Sequence, residues 1–476
     1  MVNNKIIEKY NVPVPRYTSY PPANFFSGEF GSQEYVKAVI DSNSESYSNK
    51  GVAKQGNISF YIHVPFCFSM CYYCGCNSVP IATRVDVKNY VEALKKELHM
   101  VIALLDKNRK VSQIHYGGGT PTILHHSELA QINNIILSSF ATIDNPEIAV
   151  ECHPGYLNEE YWHAIANMGF TRVSLGVQDF NNEVLKVVNR SPSKIPVEKI
   201  FEILRAKNIA ISLDFIYGLP LQLTHNFLQS IKKAVSLAPN RIVTFSYAHV
   251  PWVNKNMLKL ERFGLPDSNT KKEIFEQAKG YLLANGYKQI GMDHFVLESD
   301  ELYKAYESGV LHRNFQGYCT RRTTGEVFGV GVSAIGQLNN CYCQNTKDIE
   351  QFIAKINRGE FVIEKGYTLS LQERVVRELI EALMCNYRVE WSKLASILNM
   401  SVEQVQHIVG YNDSTLKEVV EDGIVEIIKG SVDLEGSGEI TAIGFKITPQ
   451  GQMFVRNVAA LFDAHFIPGA GYSKPL

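Results

Sequence analysis

Hydrophobic and polar positions along the chain follow two alternating periods. Short β-branched or aromatic runs stand at Ile58–Val64, Ser112–Tyr116, Glu147–Glu151, Thr171–Leu175, Ala210–Asp214 and Ile242–Ser246. Amphipathic stretches separate them; Val87, Tyr90, Val91, Leu94, Leu98, Val101 and Leu105 recur at the spacing of one helix face. Strand then helix, six times over, predicts a parallel sheet, because parallel neighbours need a crossover and a helix is the usual one. The sheet is either open and doubly wound or a full or partial barrel. Cys67, Gly117–Gly119, Glu151, Gln178, Asp214 and Ala248 fall at or just past the C-terminal ends of predicted strands. Parallel α/β folds build their ligand sites on that edge.

Outside the alternation, residues 1–57 are polar and turn-rich, and 42–57 reads as a surface loop. From about Leu371 the period turns helical, over Leu371–Asn386, Trp391–Met400, Ser401–Val409 and Thr415–Glu421. The glycine-punctuated Ile424–Ile447 predicts a hairpin, and Gln452–Phe466 a last helix. Helices followed by a two-stranded wing resemble a winged-helix module. The expected organisation is an N-terminal arm (1–57), a barrel with its C-terminal extension (58–365) and a small helical domain (366–476).

Composition narrows the picture. The 476 residues are 45% hydrophobic and 20% charged, as in ordinary folded proteins. With 47 Lys+Arg against 48 Asp+Glu, bulk attraction to nucleic acid is absent. Residues 371–476 hold nine Lys+Arg against fourteen Asp+Glu, the wrong sign for a duplex reader, so this module reads as a packing lid or partner surface. No charge-free apolar run reaches the roughly 18 residues of a membrane span, and no signal-peptide core opens the chain. A cytoplasmic protein is expected, and a monomer, since no heptad repeat is sustained.

Four of the nine cysteines lie between Cys67 and Cys76. Cys67-Phe-Ser-Met-Cys71-Tyr-Tyr-Cys74 has the spacing C-x3-C-x2-C, directly after the first predicted strand. Three thiolates so spaced can wrap one face of a cubane iron–sulfur cluster and leave its fourth iron open for chemistry. Zinc is the competitor, though no second C-x2-C or His-x3-His partner stands at finger-like distance.

The run Tyr61-Ile-His-Val-Pro-Phe-Cys67 through Cys74-Gly-Cys76-Asn77 resembles the oxygen-independent coproporphyrinogen III oxidase family of radical S-adenosylmethionine (SAM) enzymes. So do Arg16-Tyr-Thr-Ser-Tyr-Pro21, Gly117-Gly-Gly-Thr-Pro121, Gly176-Val-Gln-Asp-Phe180 and Asp214-Phe-Ile-Tyr-Gly-Leu-Pro220. Tyr247-Ala-His249, Ile290-Gly-Met-Asp-His-Phe295, His312-Arg-Asn-Phe-Gln-Gly-Tyr318 and Gly331-Val-Ser-Ala-Ile335 continue the match, from about residue 15 to the C-terminal helix.

The resemblance implies an α/β fold, a partial (β/α)6 TIM-like radical SAM barrel with an α-rich, winged-helix-like C-terminal domain. It implies a 4Fe–4S cluster on Cys67, Cys71 and Cys74, with one S-adenosylmethionine chelating the open iron. The expected activity is decarboxylation of two propionates of coproporphyrinogen III to vinyl groups, giving protoporphyrinogen IX in haem biosynthesis. The radical made by reductive cleavage of the sulfonium begins it. Tyr61, Gly118, Glu151 and Ile335 match contacts to the cluster-bound cofactor. Tyr73, Gly119, Thr120, Gln178, Arg190, Asp214 and Ala248 match contacts to a second S-adenosylmethionine. Bare backbone at Gly117–Gly119 is expected to approach the methionine moiety and offer its amides to carboxylate.

Cys76 and Tyr61 are the catalytic candidates beyond the cluster, Cys76 on the substrate side, and Arg16 and Arg313 are candidates for substrate carboxylates. A porphyrinogen substrate, a one-electron donor and a terminal acceptor are the implied partners, with no nucleic acid.

Two places depart from the family pattern: Glu151-Cys152-His153-Pro154, where an apolar residue and Asp-Pro usually follow the glutamate, and Cys319-Thr-Arg321-Arg322. They motivate one alternative, a paralogous radical enzyme with another tetrapyrrole substrate; a second, which the resemblance implies through close relatives, is a non-catalytic haem chaperone. The chaperone-like relatives tend to lack Cys76 and the Arg16-Tyr-Thr-Ser-Tyr-Pro21 arm, both present here.

Overall fold

A computed structural model describes residues 4–48, 56–81, 84–252, 254–320, 323, 325–412, 414–432, 439–469 and 472; Arg321 and Arg322 lie outside them. The six predicted strands are present as β1 (Ile58–Val64), β2 (Val111–Gly118), β3 (Thr142–Cys152), β4 (Arg172–Gln178), β5 (Ala210–Tyr217) and β6 (Arg241–Ser246). They lie side by side in that order, every neighbouring pair parallel. Helices Arg84–Leu104, His126–Ser139, Glu159–Ala166, Val197–Arg205 and Thr224–Ser236 form the crossovers. In the first of these the predicted apolar face is the buried one: Val87, Tyr90, Val91, Leu94, Leu98 and Val101 pack against the strands. The fold is the expected α/β one, with a mostly parallel central sheet.

Both edges of the sheet extend further than the pattern predicts. Beyond β1, Glu326–Val330 adds another parallel strand, followed by antiparallel Ile335–Gln337, Cys341–Asn345 and Ile363–Thr368. Beyond β6 stand antiparallel His294–Leu297 and Tyr287–Ile290. These segments are short or interrupted by glycine and asparagine, which read as turns until a neighbouring strand pairs them.

The expected loop at 42–57 is corrected over its first part: a helix spans Ser32–Ser48. Its polar face docks on the end of the Arg84–Leu104 helix, where the Asn43 side-chain amide donates to Leu104 O (2.9 Å) and Asn43 Oδ1 accepts from Asp106 N (3.1 Å). Tertiary contact thus overrides local propensity. Nor does the N-terminal segment stand free. Tyr10, Tyr17 and Tyr20 are buried in one core with Leu379, Leu383, Phe445 and Phe454 of the C-terminal region.

That region opens with the predicted Leu371–Asn386 helix, whose start is a capping box. Glu373 N donates to Ser370 Oγ (3.2 Å), and Ser370 N to Glu373 Oε2 (2.7 Å). The predicted hairpin is Val425–Val432 with Glu439–Ile447, joined at its edge by Arg388–Glu390. The last helix is shorter than expected, a 3-10 turn at Gln452–Phe454 and then Val455–Ala460. Asp463 ends it: its carboxylate accepts from the Tyr17 hydroxyl (2.9 Å) and from His465 N (2.9 Å), so the backbone turns away from helix. Among the described residues no helix is long and apolar enough to cross a membrane.

Candidate functional site

The C-terminal ends of β2–β5 open on a cavity of about 630 Å³. Its mouth is the cysteine loop, and the chain holds that loop from several sides. Cys67 and Phe66 pair with Val79–Pro80, and Ile81 N donates to Cys67 O (2.8 Å). Tyr72 N donates to Val188 O (3.0 Å), the Asn189 amide to Met70 O (2.8 Å) and the Asn254 amide to Cys74 O (2.8 Å). Cys67, Cys71 and Cys74 all line the cavity, which makes one loop a set of three soft donors around one space. The Cys74 thiol is pulled down to about 6 by a hydrogen bond from Cys76, so it is readily a thiolate. Cys76, exposed, lies on the same wall.

The glycine triplet also has a packing task. Gly119 N donates to Val64 O (2.8 Å), so that amide is already used. A Cβ on Gly119 would stand 2.6 Å from Phe66 O and 3.0 Å from Cys67 Sγ. On Gly117 it would stand 2.9 Å from Glu151 Oε1, and Gly118, at φ +114°, faces the His63 ring. The missing side chains make room for the root of the cysteine loop and for neighbouring strands, which need close backbone approach.

Gly118, Gly119, Thr120, Glu151, Tyr73, Gln178, Arg190, Asp214 and Arg16 are gathered on the cavity wall. Glu151 accepts from His115 Nε2 (3.0 Å); burial favours the neutral imidazole, but the carboxylate outweighs it and raises the histidine's pKa. Gln178 sits at φ +66° beside a register shift between Gly176 and Gln178, a bulge that re-aims its side chain. Its Oε1 is buried with no partner among the described residues, as is His153 Nε2. Arg190 reaches Tyr73 OH (3.1 Å) and Cys71 Sγ (3.4 Å). Asp214 accepts from Ser174 Oγ (2.6 Å), and burial pushes its carboxyl up to about 6. Unpartnered buried polar atoms on a wall of donors and acceptors suit a polar ligand with charges of both signs.

Four predicted residues stand outside the cavity lining. Tyr61 lies behind it, its hydroxyl on His63 Nδ1 (3.0 Å) and its ring stacked on His115. Ile335 begins the strand Ile335–Gln337, and Ala248 follows the end of β6. Arg313 sits under the Tyr318 ring (5.2 Å), with Nε and Nη1 buried and unpartnered among the described residues; Tyr318 itself lines the cavity. Missed by the sequence reading were His115, Ser174, His294 and the charged group Glu147, Arg172 and Arg241, all on the lining. Polar residues inside otherwise apolar strands were the available signal.

Residues 61–234 match the radical SAM superfamily, which accords with a three-thiol loop at the mouth of a parallel-strand cavity. Over 97% of its length the chain is 34% identical to the oxygen-independent coproporphyrinogen III oxidase of Synechocystis sp., covering 94% of that protein. The Escherichia coli enzyme of the same name gives 34% identity over 97% of the chain and 94% of the relative; that of Helicobacter pylori gives 35% with 98% of each covered. The solved Escherichia coli coproporphyrinogen III oxidase, described as a radical SAM enzyme, superposes with a TM-score of 0.83 at 30% identity, covering 98% of this chain and 99% of that one. The chain belongs to the oxygen-independent coproporphyrinogen III oxidase family, and its cofactors are those of the superfamily, a 4Fe–4S cluster and S-adenosylmethionine.

Proposed function

We propose that the chain decarboxylates two propionate side chains of coproporphyrinogen III to vinyl groups, yielding protoporphyrinogen IX. The observation that carries this reading is the cysteine loop opening on the same cavity as the polar ends of β3–β5, in a chain that matches such oxidases nearly end to end. Cys67, Cys71 and Cys74 would hold the cluster. When bound, the cluster and S-adenosylmethionine supply reductive radical generation for hydrogen-atom abstraction.

The chain's own residues then bind and orient. Glu151, fixed by His115, would face the cluster-bound cofactor together with Gly118, while Tyr61 backs His115 and Ile335 would contribute from the strand beyond Glu326–Val330. Tyr73, Gly119, Thr120, Gln178, Arg190, Asp214 and Ala248 would serve a second S-adenosylmethionine. Asp214 is a stronger hydrogen-bond acceptor for ammonium or ribose hydroxyls above about pH 6, where it ionises. Cys76 on the exposed lip faces the substrate side, with Arg16 on the wall and Arg313 behind Tyr318 as carboxylate partners. A one-electron donor and a terminal acceptor complete the reaction.

Anaerobically reconstituted protein given reductant, S-adenosylmethionine and coproporphyrinogen III should release carbon dioxide and form a divinyl product by mass spectrometry. Cofactor cleavage without vinyl product overturns the substrate; no cleavage at all overturns the chemistry.

A further inference from the structure

We propose that His153 is a ligand-binding residue whose Nε2–H donates to the carboxylate of an α-amino-acid cofactor seated against Arg190. The inference rests on the reading that a second S-adenosylmethionine occupies this wall, and adds to it a residue where this chain departs from its family.

His153 follows directly on β3 and is 7% exposed. Its Nδ1 accepts from Gly155 N (3.0 Å), so in the neutral ring the proton sits on Nε2. That nitrogen is buried, has no partner among the described residues, and belongs to a ring that lines the cavity. The ring is fixed in place. Tyr156 packs on it at 4.6 Å, and a Cβ on Gly155 would fall 2.8 Å from His153 Cε1. Burial, with the nearby Arg190 cation, drives the imidazole down to about 2, so it remains an uncharged donor.

An unmet buried donor is a cost to the fold that a ligand acceptor would recover. Beside a guanidinium that acceptor is best an anion. On the same wall the unpartnered Gln178 Oε1 and the Asp214 carboxylate offer the opposite, two acceptors for an ammonium group. Two donors and two acceptors on one wall match the zwitterionic end of methionine. An aspartate at position 153 would instead place its own carboxylate near Arg190; a neutral histidine leaves that charge to the ligand.

The test is equilibrium dialysis of the reconstituted holoenzyme, oxygen-free and without reductant, against S-adenosylmethionine and its decarboxylated analogue. The native protein should bind two equivalents per cluster, and lose about a hundredfold or more in affinity at the weaker site for the analogue, which lacks the carboxylate that Arg190 and His153 share. His153→Phe should lose about tenfold for S-adenosylmethionine, the loss of one hydrogen bond to a charged group, and show no further loss for the analogue; His153→Gln, which keeps an N–H, should stay within about threefold of native. Iron content and the cluster's visible absorption with the first equivalent should not change.

Native affinity in His153→Phe overturns the proposal, as does an equal fall in His153→Gln, which would mean ring packing. Should His153→Phe not fold, the native comparison decides: an analogue bound as tightly as S-adenosylmethionine overturns the proposal. A native protein that binds a single equivalent overturns the two-cofactor reading beneath it. Two equivalents with an indifferent His153 overturn this inference alone.

Discussion

The two ends of the barrel cavity are built from the same strands and treat charge in opposite ways. At the start of the strands the chain pairs its own charges, with Arg172 Nη1 left without a hydrogen bond among the described residues. Arg172 Nε donates to Glu147 Oε2 (3.1 Å), the Gln113 amide to Glu147 Oε1 (2.8 Å), and Arg241 grips Asp300 through two 2.9 Å bonds. Burial alone would raise the Glu147 carboxyl, but the two guanidiniums outweigh it and hold it at about 2. At the other end, roughly 7–20 Å along the strands at about 3.3 Å per residue, the balance is left open. Asp214 has one hydroxyl partner and rises to about 6, and His153 Nε2 and Gln178 Oε1 are unpaired among the described residues. Paired charge inside a barrel is structure, whereas unpaired polarity beside a cavity is binding capacity held for a ligand.

The largest test of this contrast is at the mouth. Cys71→Ala should bring turnover to background and lower the iron bound per chain, while the thermal midpoint shifts by only a few degrees, because the loop contributes little core. A large loss of stability with iron retained would place the loop among the structural elements. At the floor the order should reverse. Arg241→Met leaves Glu147 and Asp300 facing one cation fewer, and breaking a buried pair costs about 3–5 kcal/mol, read by urea denaturation. A change under about 1 kcal/mol would show that water, not Arg241, satisfies those carboxylates.

The smallest effect concerns a third kind of buried charge, held by amides rather than by a guanidinium or a ligand. Glu97 accepts from Gly331 N and from the Asn345 amide, each at 2.6 Å, and burial lifts it to about 7. From the unfolded value near 4.3 up to about pH 7 the unfolded chain ionises and the folded one does not, so native stability falls across that window and then levels. Glu97→Gln has no such titration. The stability of native relative to variant should therefore drop by about 1–3 kcal/mol between pH 5 and 7 in urea titrations, and a constant difference would contradict the raised value.

Much of the mouth is legible in the sequence. C-x3-C-x2-C after a strand, and polar residues at successive strand ends, placed Cys67, Glu151, Gln178 and Asp214 on one edge, and the structure gathers them on one wall. His153 was visible as a departure, but its unmet N–H was not. The Gly117–Gly119 run was legible as a place without side chains, yet what occupies that space, Glu151, His63 and the Phe66 carbonyl, depends on β1 and β3 approaching from either side. The floor was illegible for the same reason. Glu147, Arg172, Arg241 and Asp300 are far apart in the chain, and nothing local says that they meet.

By itself, then, the order of residues determined the strand–helix alternation and the donor loop, because periodicity and motif spacing act over one turn or one strand. Register, the added edge strands, the docking of Tyr10, Tyr17 and Tyr20 on the C-terminal core, and the pairing or orphaning of each buried charge were decided only in three dimensions. Burial and electrostatics depend on what arrives from elsewhere in the chain.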